Sequence, residues 1–308
     1  MFALQFTEYG PPEVLTVGEA AEPHAGPGEI RIAVKAASVN PADRTIRSGV
    51  MKEVFPVEFP YLSGLDASGV VDEVGEGVED VEIGDAVFGL TRGGAAAEFA
   101  VLEAWAAKPG ALSWEQAAGV GAVVETATRV FDMLGVTAGK TLLIEGAAGG
   151  VGSAAVQLAV ALGATVLGTA SEANHEFLAV LGAVPTTYGP GLVERVAALA
   201  PQGVDLVLDA AGSGSLPDLI KIAGNAHDVV TIADFTAAER GARMTHTADS
   251  SGYTKRGFAG LAVAATLAEE GRFTVPVHAV FPLEKAADAH ELSATGHVRG
   301  KIVLTVRP

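Results

Sequence analysis

The sequence predicts an α/β protein in which a doubly wound parallel sheet is inserted into an all-β unit. Three observations carry that prediction. The first hundred residues are short Val-, Ile- and Phe-rich runs broken by Gly, Pro and Asp. From Thr141 onward, strand-like and helix-like stretches alternate. A glycine cluster, AAGGVG at 147–152, stands between the first of those strands and the helix after it. Turn-punctuated short runs read as a small barrel, and strands alternating with short helices read as right-handed βαβ units.

Along the chain, GEIRIAVKAASV (28–39), LDASGVVDEVG (65–75) and DAVFGL (85–90) are the clearest barrel strands. The texture changes near Leu112. Ser113 followed by Gln116 matches a capping box, and an Ala- and Val-rich helix is expected from there to about Leu134. TLLIE then reads as a buried strand, VGSAAVQLAVALG as a helix, ATVLGTA as a strand and ANHEFLAVLG as a helix. A weak strand at AVPTTY, a helix at LVERVAAL and strands at VDLVLDA and HDVVTIA follow. A helix near 257–270 and a strand–helix–strand tail ending in KIVLTV are expected to return to the first unit.

Bulk properties narrow the function classes. A chain of 308 residues with 49% hydrophobic and 19% charged side chains suits two globular domains. A net charge of −17 argues against nucleic acid and anionic membrane as partners. With no cysteine, disulfides and thiolate metal sites are excluded. The amino terminus has no basic, apolar leader pattern, and the most apolar run, Ser153 to Gly168, is interrupted by Gln157 and Gly163. A cytoplasmic protein is expected.

The glycine cluster points to a dinucleotide. A small residue at Ala147 is expected to make the tight turn, Gly149 to admit a pyrophosphate, and Gly152 to let the helix pack close to the strand. The backbone of Ala148, Gly149, Gly150, Val151 and Gly152 would face the phosphates at the positive helix end. The second strand ends in Thr169-Ala170-Ser171 with no acid in the usual ribose-binding place, although Glu172 is one residue further. Ser171, Asn174, His175 and Tyr188 are possible donors to a 2′-phosphate, so NADP(H) is the expected cofactor. Ala211 and Ala233, past the ends of later strands, complete the expected cofactor-binding set.

The motifs ASVNPADRTIRSG (37–49), GLDASGVVDEVGEGVEDVEIGDAVFG (64–89), GAAGGVGSAAVQLAVALGA, GVDLVLDAAG (203–212) and the closing GHVRGKIVLTV, in this order, resemble a known family. The chain is similar to zinc-free medium-chain dehydrogenases/reductases, above all the NADPH:quinone oxidoreductase (zeta-crystallin-like) group. The resemblance implies a GroES-like barrel at residues 1–117 and 259–308, and a Rossmann NADP(H)-binding domain at 118–258 between them. It further implies a cleft where substrate meets nicotinamide, and homodimers formed by sheet edges near Val229 to Ile232. Asn40, in the VNP motif, is the leading contact for substrate or nicotinamide, its rival role being an Asx turn before Pro41. Asp43 is expected to brace this loop through Arg44 or Arg47 rather than to take a proton. Thr126 matches a threonine that contacts the nicotinamide carboxamide, or else bonds back within its helix.

Zinc-dependent relatives carry cysteines and a His-Glu pair where this chain has Asn40, Leu65-Asp66 and VVETATRV (123–130). No zinc is therefore expected. Without a Lewis acid, simple alcohol oxidation loses transition-state stabilisation, whereas hydride transfer to a quinone or an α,β-unsaturated carbonyl needs only donors for an oxygen. Thr45 and Met51 stand where bacterial quinone reductases carry tyrosines, which leaves Tyr61 and Tyr253 as replacement donors. Thr45 and Tyr253 join Asn40 and Asp43 in the expected catalytic set. The alternatives are an enoyl-thioester reductase and a non-catalytic NADPH-binding protein.

Overall fold

The computed structural model describes residues 1–53, 55–246 and 256–306. The chain divides into two compact units, Met1–Ala122 with Phe258–Pro308, and Val123–Gly257.

In the first unit, β1 (Phe2–Phe6) and β2 (Thr16–Glu19) pair antiparallel. Strand β3 (Ile30–Val39) alternates buried and half-buried side chains as far as Lys35 and is buried from Ala36 to its end. Chain direction then changes at α1 (Pro41–Ser48), for local reasons. Asn40 is its N-cap, Pro41 fits the first helical position, and Gly49 stops it at φ 74°, a left-handed conformation that favours glycine. Strand β4 (Tyr61–Leu62) pairs with β1. Strands β5 (Asp66–Val74), β6 (Ala86–Thr91) and β7 (Phe99–Ala107) follow β3 in antiparallel succession, and β7 pairs back with β3. That last pairing closes the barrel around Phe6, Ile30, Ile32, Val71 and Leu102.

Helix α2 (Trp114–Ala118) starts with the expected capping box. Gln116 N–H donates to Ser113 Oγ at 3.2 Å, and Ser113 N–H donates to Gln116 Oε1 at 3.0 Å. The expected single helix to Leu134 is instead two, with α3 (Gly121–Leu134) restarting after Gly119-Val120. The reason is a close backbone approach. A Cβ on Gly121 would lie 2.9 Å from the Gly89 carbonyl oxygen and 3.0 Å from Asp66 Cβ.

In the second unit β8 (Thr141–Glu145), α4 (Gly150–Ala161), β9 (Thr165–Thr169), α5 (His175–Val180) and β10 (Val184–Thr186) form two βαβ repeats. Helix α6 (Leu192–Leu199) leads to β11 (Leu206–Asp209), and α7 (Leu216–Ala223) to β12 (Val229–Thr231) and β13 (Arg243–Met244). All six strands are parallel, in the order β10-β9-β8-β11-β12-β13. The chain thus winds outward from β8 in both directions, and its switch point lies between β8 and β11. The expected dimer edge at Val229 to Ile232 needs correction: β12 is paired on both sides, and β13 is the outer strand among the described residues.

The chain returns to the first unit through α8 (Ala259–Glu269), β14 (Val277–Pro282), α9 (Ala286–Ala294) and β15 (Lys301–Thr305). Strand β15 runs antiparallel to β3 with Ile302 opposite Val39. This register sets Lys301 beside Asn40. No helix among the described residues is long and apolar enough to cross a membrane.

Candidate functional site

The second unit carries the glycine turn at the carboxyl end of β8. The left-handed residue of this turn is Gly146 (φ 73°), not Ala147. Ala147 is the next residue and fully buried. At Gly152 a Cβ would lie 2.2 Å from the Gly146 carbonyl oxygen and 2.7 Å from Ala147 Cα, so the helix touches the turn backbone. At Gly149 a Cβ would meet only the Gly146 oxygen, at 3.3 Å. Gly149 is the N-cap of α4, and no side chain caps it. The first-turn amides of Gly150, Val151 and Gly152 therefore have no intrahelical acceptor. An open glycine over an uncapped helix end, with Ala148 beside it, fits a pyrophosphate.

Strands β9 and β10 run parallel in register, so Ser171 and Tyr188 emerge at neighbouring carboxyl ends. Ser171 Oγ accepts from Asn174 Nδ2 at 3.1 Å, which leaves the hydroxyl proton free to donate. His175 Nε2 is buried without a partner, and Tyr188 is half exposed. Sequence reasoning missed Arg195. Its guanidinium donates to the carbonyls of Thr187, Tyr188, Gly189 and Pro190, at 2.7–3.2 Å, and so shapes the turn that carries Tyr188.

Ala211 and Ala233 sit at the expected strand ends, but their amides are already used. Ala211 N–H donates to Asp209 Oδ1 and Ala233 N–H to Thr231 Oγ1. Thr126 bonds within its own helix, to side chains rather than to a carbonyl. Its hydroxyl lies between Glu125 and Arg129, a fully buried ion pair with 2.9 Å between Arg129 Nε and Glu125 Oε1.

Glu145, the last residue of β8, was also missed. It is 1% exposed, beside Asp209 on β11, and accepts from the Ser213 hydroxyl at 2.7 Å and from the Ser215 hydroxyl. Burial pushes its carboxyl up against the pull of the two hydroxyls. An acid at the strand end just before a glycine turn, at the switch point, was the available signal.

In the first unit, Asn40 is the hub of a buried polar cluster. Its backbone N–H donates to Asp43 Oδ2 at 2.7 Å, and its Nδ2 donates to Asp66 Oδ1 at 2.8 Å. Its Oδ1 accepts from Lys301 Nζ at 2.6 Å. Ser38 Oγ donates to Asp66 Oδ1, and the Ala122 amide donates to Asp66 Oδ2 at 3.0 Å. Lys301 Nζ lies 3.9 Å from Asp66 Oδ2. Asp43 braces the loop by capping α1, not through Arg44 or Arg47, whose Nε and Nη1 in the case of Arg47 have no partner. Burial pushes the Asp43 carboxyl up to about 7. Desolvation pulls Lys301 down, opposed by Asp66 and Asp43.

Thr45, also in the expected catalytic set, gives its hydrogen bond elsewhere than to this cluster. The Thr45 hydroxyl is spent within α1, donating to the Pro41 carbonyl at 2.9 Å. Tyr253 lies outside the described residues. Tyr61 lines a shallow cavity of about 430 Å³ with Phe55, Val57, Pro60, Leu62 and Arg92. Its hydroxyl is buried without a partner, and burial, then the Asp43 charge, raise its pKa. Lys301 was missed because 261 residues separate it from Asn40.

The donor set at Asn40 does not fit zinc. The groups that converge there are an amide, two carboxylates and an ammonium whose charge would oppose a second cation. No three His, Cys, Asp or Glu side chains group as ligands among the described residues.

Residues 26–130 match the alcohol dehydrogenase GroES-like domain, and residues 181–304 match the zinc-binding dehydrogenase model. The quinone oxidoreductase of Sus scrofa is 32% identical over 324 residues, covering 99% of this chain and 97% of the relative. The structure of the quinone oxidoreductase from Coxiella burnetii is 32% identical with a TM-score of 0.82, covering 100% of this chain and 99% of that one. The Escherichia coli quinone oxidoreductase complexed with NADPH is 25% identical with a TM-score of 0.83, covering 99% and 100%.

Proposed function

Because the chain belongs to the quinone oxidoreductase family of medium-chain dehydrogenases/reductases, we propose that it reduces a quinone or an α,β-unsaturated carbonyl with NADPH and without zinc. The single observation behind this reading is the Asn40–Asp66–Lys301 cluster, in which an ammonium holds the Asn40 oxygen and faces the Asp66 carboxylate that a Lewis-acid metal would need.

Bound NADPH would supply the hydride. The glycine turn and the α4 amino terminus would seat its pyrophosphate. Ser171, with its free hydroxyl proton, and the unpartnered His175 Nε2 would take the 2′-phosphate, with the Arg195 cation at the neighbouring turn. Asn40 is the acceptor-side contact, and Asp43 holds its backbone in place. The aromatic cavity at Tyr61 suits a flat, apolar acceptor. The protein is assigned to the cytoplasm and to a homodimer, the latter to be checked by light scattering.

Stopped-flow oxidation of NADPH with quinones, enones and enoyl thioesters tests the reading. Turnover confined to enoyl thioesters would move the substrate class. Tight NADPH binding with no turnover on any acceptor would leave a binding protein and end the reductase reading. NADPH should bind at least ~10-fold tighter than NADH, about 1.4 kcal/mol, and His175→Ala should narrow that gap. Equal affinity for the two would refute the role given to Ser171.

A further inference from the structure

We propose that Lys301 is a positioning residue for this reduction, acting through the side-chain amide of Asn40. The proposal rests on the assignment of Asn40 to the acceptor side. A terminal amide fills its envelope equally well in two orientations, related by a half turn that exchanges its oxygen with its NH2. In this cluster the two ends meet opposite charges. Lys301 Nζ donates to Oδ1 at 2.6 Å, and Asp66 Oδ1 accepts from Nδ2 at 2.8 Å. Turned over, the amide would set its NH2 against an ammonium and its oxygen against a carboxylate. Lys301 is 4% exposed and Asp66 0%, so water cannot screen the mismatch.

The lock also decides what the amide can still do. One Nδ2 proton goes to Asp66, and the other faces Ser38 Oγ at 3.3 Å. Among the described residues, the second lone pair of Oδ1 is the one hydrogen-bonding place left on the amide. Asn40 thus meets its ligand as an acceptor, and on the acceptor side the group that fits is the hydroquinone or enol O–H formed on reduction, not the carbonyl oxygen itself. The geometry depends on register: Lys301 opens β15, and Ile302 pairs with Val39. A one-residue slip would turn Lys301 to the other face of the sheet.

The test compares Lys301→Met, Lys301→Arg and the double variant Lys301→Met/Asp66→Asn in the full chain. Four quantities are read: kcat, KM with NADPH and a naphthoquinone, the thermal midpoint, and the side-chain NH2 resonances of Asn40 in the ligand-free protein. Lys301→Met should lose ~10- to 100-fold in kcat, the scale of a mispositioned contact, with KM for NADPH unchanged. Lys301→Arg, which keeps a donor and a charge, should recover most of that loss. The double variant removes the uncompensated carboxylate, so it should regain the thermal midpoint but not kcat. The Asn40 resonances should broaden or double in Lys301→Met and stay single in Lys301→Arg. Recovery of kcat together with the thermal midpoint in the double variant would make Lys301 only the charge partner of Asp66. Unchanged Asn40 resonances in Lys301→Met would equally overturn the proposal. If the wild-type chain turns over no acceptor, the reductase reading falls, and the resonances alone decide whether Lys301 holds Asn40.

Discussion

Gly149 and Gly152 are three residues apart on one helix start, and the proposed pyrophosphate site would give them separate tasks that substitution by alanine can pull apart. At Gly152 the added methyl would lie 2.2 Å from the Gly146 oxygen and 2.7 Å from Ala147 Cα, both backbone, so α4 must move off the turn. Overpacking of this kind costs about 1–3 kcal/mol. At Gly149 the methyl would meet one atom at 3.3 Å, and the main loss is the poorer N-cap, about 0.5–1 kcal/mol. That methyl would, however, stand where the proposed site puts the pyrophosphate. Gly149→Ala should therefore keep a thermal midpoint near wild type yet bind NADPH ~10- to 100-fold more weakly, about 1.4–2.8 kcal/mol. Gly152→Ala should show the larger fall in thermal midpoint. Calorimetric unfolding and titration of the nucleotide read the two effects on the same samples. Wild-type affinity in Gly149→Ala would place the phosphates elsewhere, and unchanged stability in Gly152→Ala would refute the close approach.

Acid behaviour offers a test with opposite signs at two residues. Asp43, pushed up to about 7 from 3.8 by burial, favours the fold most below its unfolded pKa and loses that contribution as pH rises toward 7. Relative to wild type, Asp43→Asn should therefore lose about 3–4 kcal/mol of stability on going from pH 7 to pH 4, measured by urea unfolding at each pH. His290 is pushed down to about 4 by burial and by Arg47 and Arg44, so its contribution is full above 6.5 and disappears as pH falls through 4. His290→Gln should gain about 3 kcal/mol on wild type over that range, and a flat difference would show an unperturbed imidazole. Breaking the buried pair with Arg129→Met should cost about 3–5 kcal/mol, because Glu125 is fully buried and Arg256, 3.3 Å away, is its remaining ion-pair partner. Unfolding within ~1 kcal/mol of wild type would mean that Arg256 suffices as the counter-ion of Glu125.

What could be read in advance follows the range of the interactions. The capping box at Ser113 and Gln116 and the stop at Gly49 are settled within four residues, so their signals lie in the sequence itself. The βαβ alternation around the glycine cluster is local in the same sense, because each strand and helix buries one face with its own period. The break between α2 and α3 was not legible, because it depends on the Gly89 carbonyl, thirty-two residues earlier, lying against Gly121. At the candidate site the pattern repeats. Asn40 and Asp43, three apart, carry their relation in the sequence, whereas Lys301 reaches Asn40 only through the pairing of β15 with β3. Thr45 is a subtler case: a threonine in a short helix satisfies itself on the carbonyl four residues back.

The same cluster bears on the metal. Part of this chain matches a model described as zinc-binding, yet the position facing Asn40 is held by an ammonium, 2.6 Å from the oxygen a metal would need. A divalent ion there must displace Lys301 or sit beside it, and either choice leaves a buried charge without its partner. An ion that bound only the native protein would raise stability by about 2.7 kcal/mol at a concentration 100 times its Kd, a shift of several degrees. Added zinc should give no such rise, and EDTA should leave both thermal midpoint and NADPH turnover unchanged. Replacing Lys301 with Met removes the opposing charge but supplies no imidazole or thiolate, so zinc should still fail to stabilise that variant. A several-degree rise with zinc in the wild-type chain, or turnover abolished by EDTA and restored by zinc, would overturn the metal-free reading of Asn40, Asp66 and Lys301.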